Sequence, residues 1–393
     1  MSDEKGFTTR AVHAWQDVEP LQQEPAAVPI YQTAPFVFRD MEQFAAVGKS
    51  QISGGYLYTR WANPTVDAFT STVASLEGAE AGAGYASGMG AIHATLASLV
   101  RSGDRILSAK QIYGGTYGLF ADVLPRGGIE IDLVDITDLD AVEASFRDGT
   151  RVLYFEVIGN PTLPLADVDA LVALAHARDV TVVVDATFTP PYLYRPIEHS
   201  VDLVVHSATK YIGGHSDVTA GVVSGSAEAI ARVRHIGLEL GGSLAPFEAW
   251  LGLRGVQTLA LRMDRICANA LAVASALEKH RGVERTTYPG LKSHAQHDLA
   301  ARQLAHGFGG MVTAEVAGGT EAGRRLMERV HLFSPAASLG GTKSLIVHPA
   351  SVTHSQLSRE QREAAGITDG LVRLSIGIED PEDLIDDLDR ALS

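Results

Sequence analysis

The sequence predicts an α/β fold with a mainly parallel sheet, an N-terminal arm ahead of it and a smaller α+β unit behind it. Three observations carry this prediction. Short apolar runs recur between residues 105 and 225, with helical patterns between several of them. Residues 1–62 are instead broken by Pro20, Pro25, Pro29 and Pro35 and by the Gly/Pro/Asn-bounded stretch GGYLYTRWANPT. From residue 257 the pattern becomes helical, then strand-like, then helical again.

The arm, residues 1–62, has little core of its own, so it is expected to pack on something else, such as another subunit. Residues 63–256 form the α/β part. Helical stretches run from Pro64 to Leu76, Ala91 to Val100, Leu139 to Phe146 and Val168 to Ala177. Strands are predicted at RILSA (105–109), IEIDLVD (129–135), RVLYFEV (151–157), VTVVVD (180–185), VDLVVH (201–206) and AGVVSG (220–225). Runs that stay apolar without alternation belong to strands buried on both faces. Such sheets hold ligands at strand ends and helix N-termini. In residues 257–393 a long helix, RMDRICANALAVASALEKH (262–280), precedes strands MVTAEV and LVRLSI and the closing helix PEDLIDDLDRALS. No repeat or low-complexity tract is found.

Composition narrows the function. Apolar residues make up 46% and charged residues 20%, as in a soluble protein with a large core. The 32 basic and 47 acidic side chains give a net charge of −15, which argues against nucleic-acid or anionic-membrane partners. The N-terminus MSDEKGFTTR lacks a signal-peptide apolar region, and no run of about 18 apolar residues occurs, so no membrane span is expected and the expected compartment is the cytoplasm. The single cysteine, Cys267, cannot form an internal disulfide or a multi-thiolate site and reads as a core thiol. His294 and His297 lie near Asp298 in SHAQHD, but no third ligand and no HExxH occur, so no metal is expected. No GxSxG elbow is present either.

Three stretches carry chemistry. YASGMGAIHATLASL sets Ser87, Gly88 and Met89 directly before a helix, where free N–H groups and the dipole favour phosphate. It is not a dinucleotide fingerprint, because His93 stands where the third glycine belongs. Asp185 ends VTVVVD and reads equally as a ligand contact or as a turn cap. In VVHSATKYIGGH, Lys210 follows a buried strand, where desolvation would make its amine nucleophilic, and Ser207 and Thr209 could donate to phosphate. Alone, Lys210 reads as an ordinary surface lysine. Together the three stretches supply what pyridoxal phosphate needs: an amine for the Schiff base, a carboxylate for the pyridine nitrogen and donors for the phosphate.

The motifs VVHSATKYIGGHSDVTAG, YASGMGAI, YTRWANPT, YGGTYGLF, VVVDATF, SLGGTKSL, HPASVTH and GLVRLSIGIED, in this set, resemble the Cys/Met-metabolism family of pyridoxal-phosphate enzymes. That family includes methionine γ-lyases, cystathionine γ-synthases and γ-lyases, and O-acylhomoserine sulfhydrylases. The resemblance runs from about Thr9 to Leu392. It implies a fold-type I, pyridoxal-phosphate transferase-like large domain, pyridoxal 5'-phosphate as cofactor, a small amino-acid substrate, and a homotetramer of active-site-sharing dimers. It makes Lys210 the Schiff-base lysine and proton shuttle, and Asp185 the pyridine-nitrogen partner. Ser87, Gly88, Met89, Ser207 and Thr209 become the phosphate cup. Tyr58 and Arg60 become the pair that reaches the phosphate of a neighbouring subunit, a bidentate task suited to a guanidinium. The resemblance also makes Tyr113 the tyrosine expected to stack on the cofactor ring and to handle the leaving-group proton. Arg373 clamps the substrate carboxylate, with Ser338 and Asn160 beside it.

The implied reaction is γ-elimination from a γ-substituted L-amino acid, with γ-replacement by a thiol or other nucleophile as the alternative. A non-catalytic cofactor-binding relative is the reading of another class, and the intact Lys210, Asp185, Tyr113 and Arg373 oppose it. Several positions depart from the family pattern. Gly115 stands where methionine γ-lyases usually carry cysteine, and Glu239 and Leu240 replace an expected lysine-aspartate pair. Ala337 replaces the glutamate usual in cystathionine γ-lyases, Ala186 replaces an asparagine, and EVIGNPT departs from the usual ET-x-x-NP. These departures suggest a specialised substrate.

Overall fold

The computed structural model describes residues 6–13, 25–49, 54–352, 359–364 and 366–393. Residues 1–5, 14–24 and 50–53 of the expected arm, and the Thr353–His354 end of HPASVTH, lie outside the described residues.

Within the arm, α1 (Phe7–His13) and α2 (Met41–Gly48) precede α3 (Pro64–Glu77). The next elements are β1 (Ala81–Tyr85), α4 (Gly88–Leu99), β2 (Arg105–Ala109), α5 (Gly114–Gly118), β3 (Glu130–Val134), α6 (Leu139–Ser145) and β4 (Thr150–Glu156). They continue with α7 (Val168–His176), β5 (Thr181–Asp185), β6 (Leu203–His206), β7 (Gly221–Gly225), α8 (Ala227–Leu240), α9 (Pro246–Val256) and α10 (Leu259–Leu277). The last are β8 (Val283–Thr287), α11 (His297–Gln303), β9 (Met311–Val316), α12 (Gly319–Arg329), β10 (Ser334–Pro335), β11 (Leu345–Val347), α13 (Arg359–Ala364), β12 (Leu371–Ser375) and α14 (Pro381–Leu392).

The larger sheet has the order β1-β7-β6-β5-β4-β2-β3. Strands β6, β5, β4, β2 and β3 run parallel, while β7 is antiparallel to both β1 and β6. All six predicted strands are present within a residue or two of their expected ends. Burial on both faces explains the unbroken apolar runs of β5, β6 and β7, whereas edge strand β3 is partly exposed. Strand β1 was not predicted, because its sequence AGAGY has little strand propensity. Its glycines serve close packing instead: a Cβ on Gly82 would lie 2.7 Å from the Thr70 carbonyl oxygen of α3.

Local signals set the helix ends. Asn63 caps α3 by accepting the Thr65 N–H at 2.9 Å, Pro64 opens the helix and Gly78 closes it at φ 76°. Helix α4 begins at Gly88, three residues before the apolar periodicity, because Ser87 caps it by accepting the Gly90 N–H at 3.0 Å. The SGMG turn is therefore the start of the helix itself. The sequence reading left 226–256 without elements, and α8 and α9 occupy it.

A five-stranded sheet of order β10-β11-β12-β9-β8 lies in the C-terminal part and is mostly antiparallel. Two apolar clusters form the interior, and α10 belongs to both. Met263, Ile266 and Cys267 join the cluster around the large sheet, while Val273 and Leu277 join Tyr288, Val312, Phe333 and Leu384 in the second. Cys267 is buried, as expected, and burial pushes its thiol up to about 12. Among the described residues no helix is long and apolar enough to cross a membrane, and no group of His, Cys, Asp and Glu could hold a metal.

Candidate active site

A cavity of about 540 Å³ opens at the carboxyl ends of β4, β5 and β6. Ser87, Gly88, Met89, Tyr113, Asn160, Asp185, Ser207, Thr209, Lys210 and Arg373 line it. Ten of the thirteen residues singled out from the sequence thus converge on one space.

Lys210 sits in the turn after β6, where its N–H meets the Ser207 carbonyl at 3.0 Å. Its Nζ donates to Ser338 Oγ at 3.0 Å, which brings Ser338 to the site as well. Burial, and then the charge of Arg373, lower the Lys210 pKa below the usual lysine range. The glycines behind it serve approach: Gly214, at φ 72°, would place a Cβ 2.1 Å from the Arg262 guanidinium. Arg262 was not singled out from the sequence. It is buried and donates to the carbonyls of Tyr211 at 2.6 Å and Gly255 at 2.7 Å, holding the lysine loop on α9.

Asp185, at the end of β5, is buried at one side of the cavity. Its Oδ1 accepts the Thr187 N–H at 2.9 Å, and Tyr154 Oη lies 3.4 Å from Oδ2. Thr187 also accepts the Ser207 N–H at 2.8 Å, so it ties the aspartate turn to the lysine turn. Burial raises the Asp185 pKa, and among the described residues no Lys or Arg forms an ion pair with it. Ala186, next to it, is fully buried and brings no polar group. Glu156 ends β4 and lines the same cavity; the sequence reading passed over it, although it closes an apolar run just as Asp185 does.

The end of the cavity where phosphate is expected is built from two turns. Helix geometry leaves the N–H groups of Gly88 and Met89 without intrahelical acceptors. A Cβ on Gly88 would lie 2.7 Å from Ser207 Cβ, so only glycine lets the two turns meet. Thr209 Oγ1 accepts the Ala220 N–H at 2.9 Å, which fixes the hydroxyl at the edge of the cup.

Arg373 lies on β12 and is buried. Its Nη1 donates to Asn160 Oδ1 at 2.9 Å, and its Nη2 lies 3.5 Å from the Ser338 carbonyl oxygen. Burial lowers its pKa to about 10, and among the described residues no carboxylate pairs with it. A buried guanidinium held by neutral groups is a receptor for an external carboxylate. Tyr113 is 51% exposed at the mouth, with its N–H donating to Glu156 Oε1 at 2.6 Å. Gly115 lies against its ring: a Cβ there would be 2.4 Å from Tyr113 Cε1. Ile158 of EVIGNPT, Phe188, Ala337 and Leu339 form an uncharged wall, and Thr219 adds a hydroxyl.

Tyr58 and Arg60 do not line the cavity. Arg60 Nη1 donates to the Leu238 carbonyl of α8 at 2.9 Å, and Tyr58 is half-exposed in the arm. Glu239 and Leu240, at the end of α8, do not line it either.

The donor set fits pyridoxal phosphate: an amine with lowered pKa, a buried carboxyl without a Lys or Arg ion pair among the described residues, and a helix start pressed to within a glycine of Ser207. Comparison with known proteins agrees. Residues 8–393 match the family model described as Cys/Met metabolism PLP-dependent enzyme. The L-methionine gamma-lyase of Pseudomonas putida is 46% identical over 390 residues, 98% of this chain and 97% of that protein. The cystathionine beta-lyase of Lactococcus lactis subsp. cremoris is 42% identical, covering 93% of each chain. A solved structure from Campylobacter jejuni, described as an O-acetylhomoserine (thiol)-lyase with N'-pyridoxyl-lysine-5'-monophosphate, superimposes with a TM-score of 0.94 at 35% identity, covering 99% of this chain and 100% of that one. The fold is accordingly fold-type I. With a lysine, an aspartate and a serine-glycine helix start in one cavity and a family match over almost its whole length, this chain belongs to the Cys/Met-metabolism family of pyridoxal-phosphate-dependent enzymes.

Proposed function

We propose that the chain catalyses γ-elimination from a γ-substituted L-amino acid, as a lyase similar to the methionine γ-lyases. The observation that carries this reading is the convergence of Lys210, Tyr113 and Arg373, which forms no ion pair among the described residues, on one cavity that also presents the uncharged side chains of Ile158, Phe188, Ala337 and Leu339. Pyridoxal phosphate, when bound, supplies an electron sink for negative charge at the substrate Cα. Lys210 would be its covalent attachment point, Asp185 would partner the pyridine nitrogen, and Ser87, Gly88, Met89, Ser207 and Thr209 would hold the phosphate. Arg373, braced by Asn160, orients the substrate carboxylate. Lys210 Nζ, released by substrate and steered by Ser338, would remove a proton from Cα, give it up to the bound cofactor and, neutral again, remove one from Cβ. Tyr113, at the mouth, delivers a proton to the departing γ-group. The wall of Ile158, Phe188, Ala337 and Leu339 favours a γ-group without charge, because a buried charge there would find no partner.

Replacement at Cγ uses the same residues, and the likeness to the Campylobacter jejuni (thiol)-lyase supports it as the second reading. A substrate panel decides. Methionine, homocysteine, cystathionine, the two O-acyl homoserines and γ-halogenated amino acids would be assayed for 2-oxo acid and ammonia, with and without sulfide. Elimination predicts both products without sulfide; replacement products alone would overturn it. Purified protein lacking the visible absorbance of lysine-bound cofactor would favour a non-catalytic relative.

The same reading assigns residues 1–62 to an arm that reaches a neighbouring subunit, 63–256 to the cofactor domain and 257–393 to the C-terminal domain. It makes the assembly a homotetramer of dimers that share active sites. Support comes from the arm, where α2 has no buried residue and Val37 and Met41 are 96% and 75% exposed. A cytoplasmic location accords with the single buried cysteine.

A further inference from the structure

Glu156 is a buried carboxyl to which the reaction above assigns no task. It ends β4 directly opposite Asp185 at the end of β5. Opposed residues on adjacent parallel strands project to one face, and both side chains line the cavity. Burying one carboxyl is costly, and a second beside it adds like-charge repulsion. Among the described residues no Lys or Arg forms an ion pair with either. The two are nonetheless placed differently. Asp185 is held by the Thr187 N–H and lies near Tyr154 Oη, and the proposed function assigns it to the pyridine nitrogen, whereas Glu156 is tied to backbone. Its Oε1 accepts the Tyr113 N–H at 2.6 Å, and a second backbone hydrogen bond comes from Asn160. Asn160 Oδ1 in turn accepts from Arg373 Nη1 at 2.9 Å. One carboxyl therefore joins the seat of the mouth tyrosine to the brace of the carboxylate clamp.

We propose that Glu156 is a positioning residue of this active site, which sets the seat of Tyr113 and the aim of Arg373 together; the proposal rests on the functional reading above. Burial, and next the charge of Asp185, raise the Glu156 pKa well above the usual carboxylate range. Burial beside Asp185 thus favours the neutral form of Glu156. A neutral carboxyl offers one carbonyl acceptor, and a glutamine of the same shape offers the same.

The test compares holoenzymes of wild type, Glu156→Gln, Glu156→Leu and Glu156→Asp. The readouts are bound cofactor by visible absorbance, induced ellipticity of the cofactor band, melting temperature, and separate KM and kcat on the best substrate of the panel. Glu156→Gln is expected to stay close to wild type. Glu156→Leu keeps bulk but removes the acceptor, and kcat/KM should fall about 100-fold, the effect of an active-site misplacement of about 1 Å. That loss should divide between a raised KM, from Arg373, and a lowered kcat, from Tyr113, with changed ellipticity and retained cofactor. Wild-type KM, kcat and ellipticity in Glu156→Leu would overturn the proposal. So would a Glu156→Gln loss as large as that of Glu156→Leu. Should Glu156→Leu not fold, Glu156→Asp decides: its shorter arm must shift both KM and ellipticity, and wild-type values for both would overturn the proposal. The two readings fail separately. A wild type without cofactor band or turnover defeats the function; an active wild type indifferent to position 156 defeats this role.

Discussion

Lys210 and Asp185 show how burial sets chemistry at single residues. The lowered pKa of Lys210 brings its neutral amine within reach at a lower pH than for a free lysine. Lys210→Ala should abolish turnover while pyridoxal phosphate still binds non-covalently to the phosphate cup, as seen by dialysis and by loss of the lysine-bound absorbance; residual turnover would refute its role. Asp185 has the opposite sign. Its folded pKa lies above the ordinary 3.8, so in the cofactor-free protein its stabilising contribution is full below that value and is lost as pH rises through the raised one. At neutral pH the buried charge therefore works against folding. Cofactor-free Asp185→Asn should melt about 2 °C above wild type at neutral pH. The gain should vanish toward acid, and cofactor affinity should fall. A calorimetric pH series on the cofactor-free proteins, with cofactor titration, checks both parts.

At the scale of elements, the site depends on how closely turns approach one another. The start of α4 meets the turn after β6 through Gly88, and the Ser338 loop meets the lysine turn through Gly340, whose Cβ would lie 2.7 Å from the Tyr211 amide nitrogen at φ 77°. Gly88→Ala should overpack this junction and weaken pyridoxal phosphate binding about tenfold, the equivalent of about 1.4 kcal/mol. Circular dichroism should show the helices retained, and equilibrium dialysis should show the affinity loss; unchanged affinity would place the phosphate elsewhere. Strands β5 and β6 were readable because burial on both faces makes a run continuously apolar. Strand β1 was not, because its alanines and glycines answer to contact with α3 rather than to strand propensity.

For the whole molecule, the placement of Tyr58 and Arg60 outside the cavity matters most. If they serve the site of a neighbouring subunit, Arg60→Ala should bind cofactor more weakly, and two defective proteins should repair each other. Random mixing of Lys210→Ala with Arg60→Ala subunits makes half the dimers mixed, each with one whole site, so about a quarter of wild-type activity should return. Activity no greater than the sum of the two variants would confine each site to one subunit.

By itself the sequence determined the kinds of chemistry present. A lysine past a strand, an aspartate ending a strand and a serine-glycine turn before a helix are local patterns, set by neighbours a few positions away. Only the tertiary structure decided what holds those groups in place. Tyr113 and Glu156 are 43 positions apart, Asn160 and Arg373 are 213 apart, and Arg262 reaches back 51 positions to the Tyr211 carbonyl. No periodicity records such pairs. They exist because parallel strands bring distant carboxyl ends to one edge of a sheet, where burial favours pairing of polar groups within the folded chain.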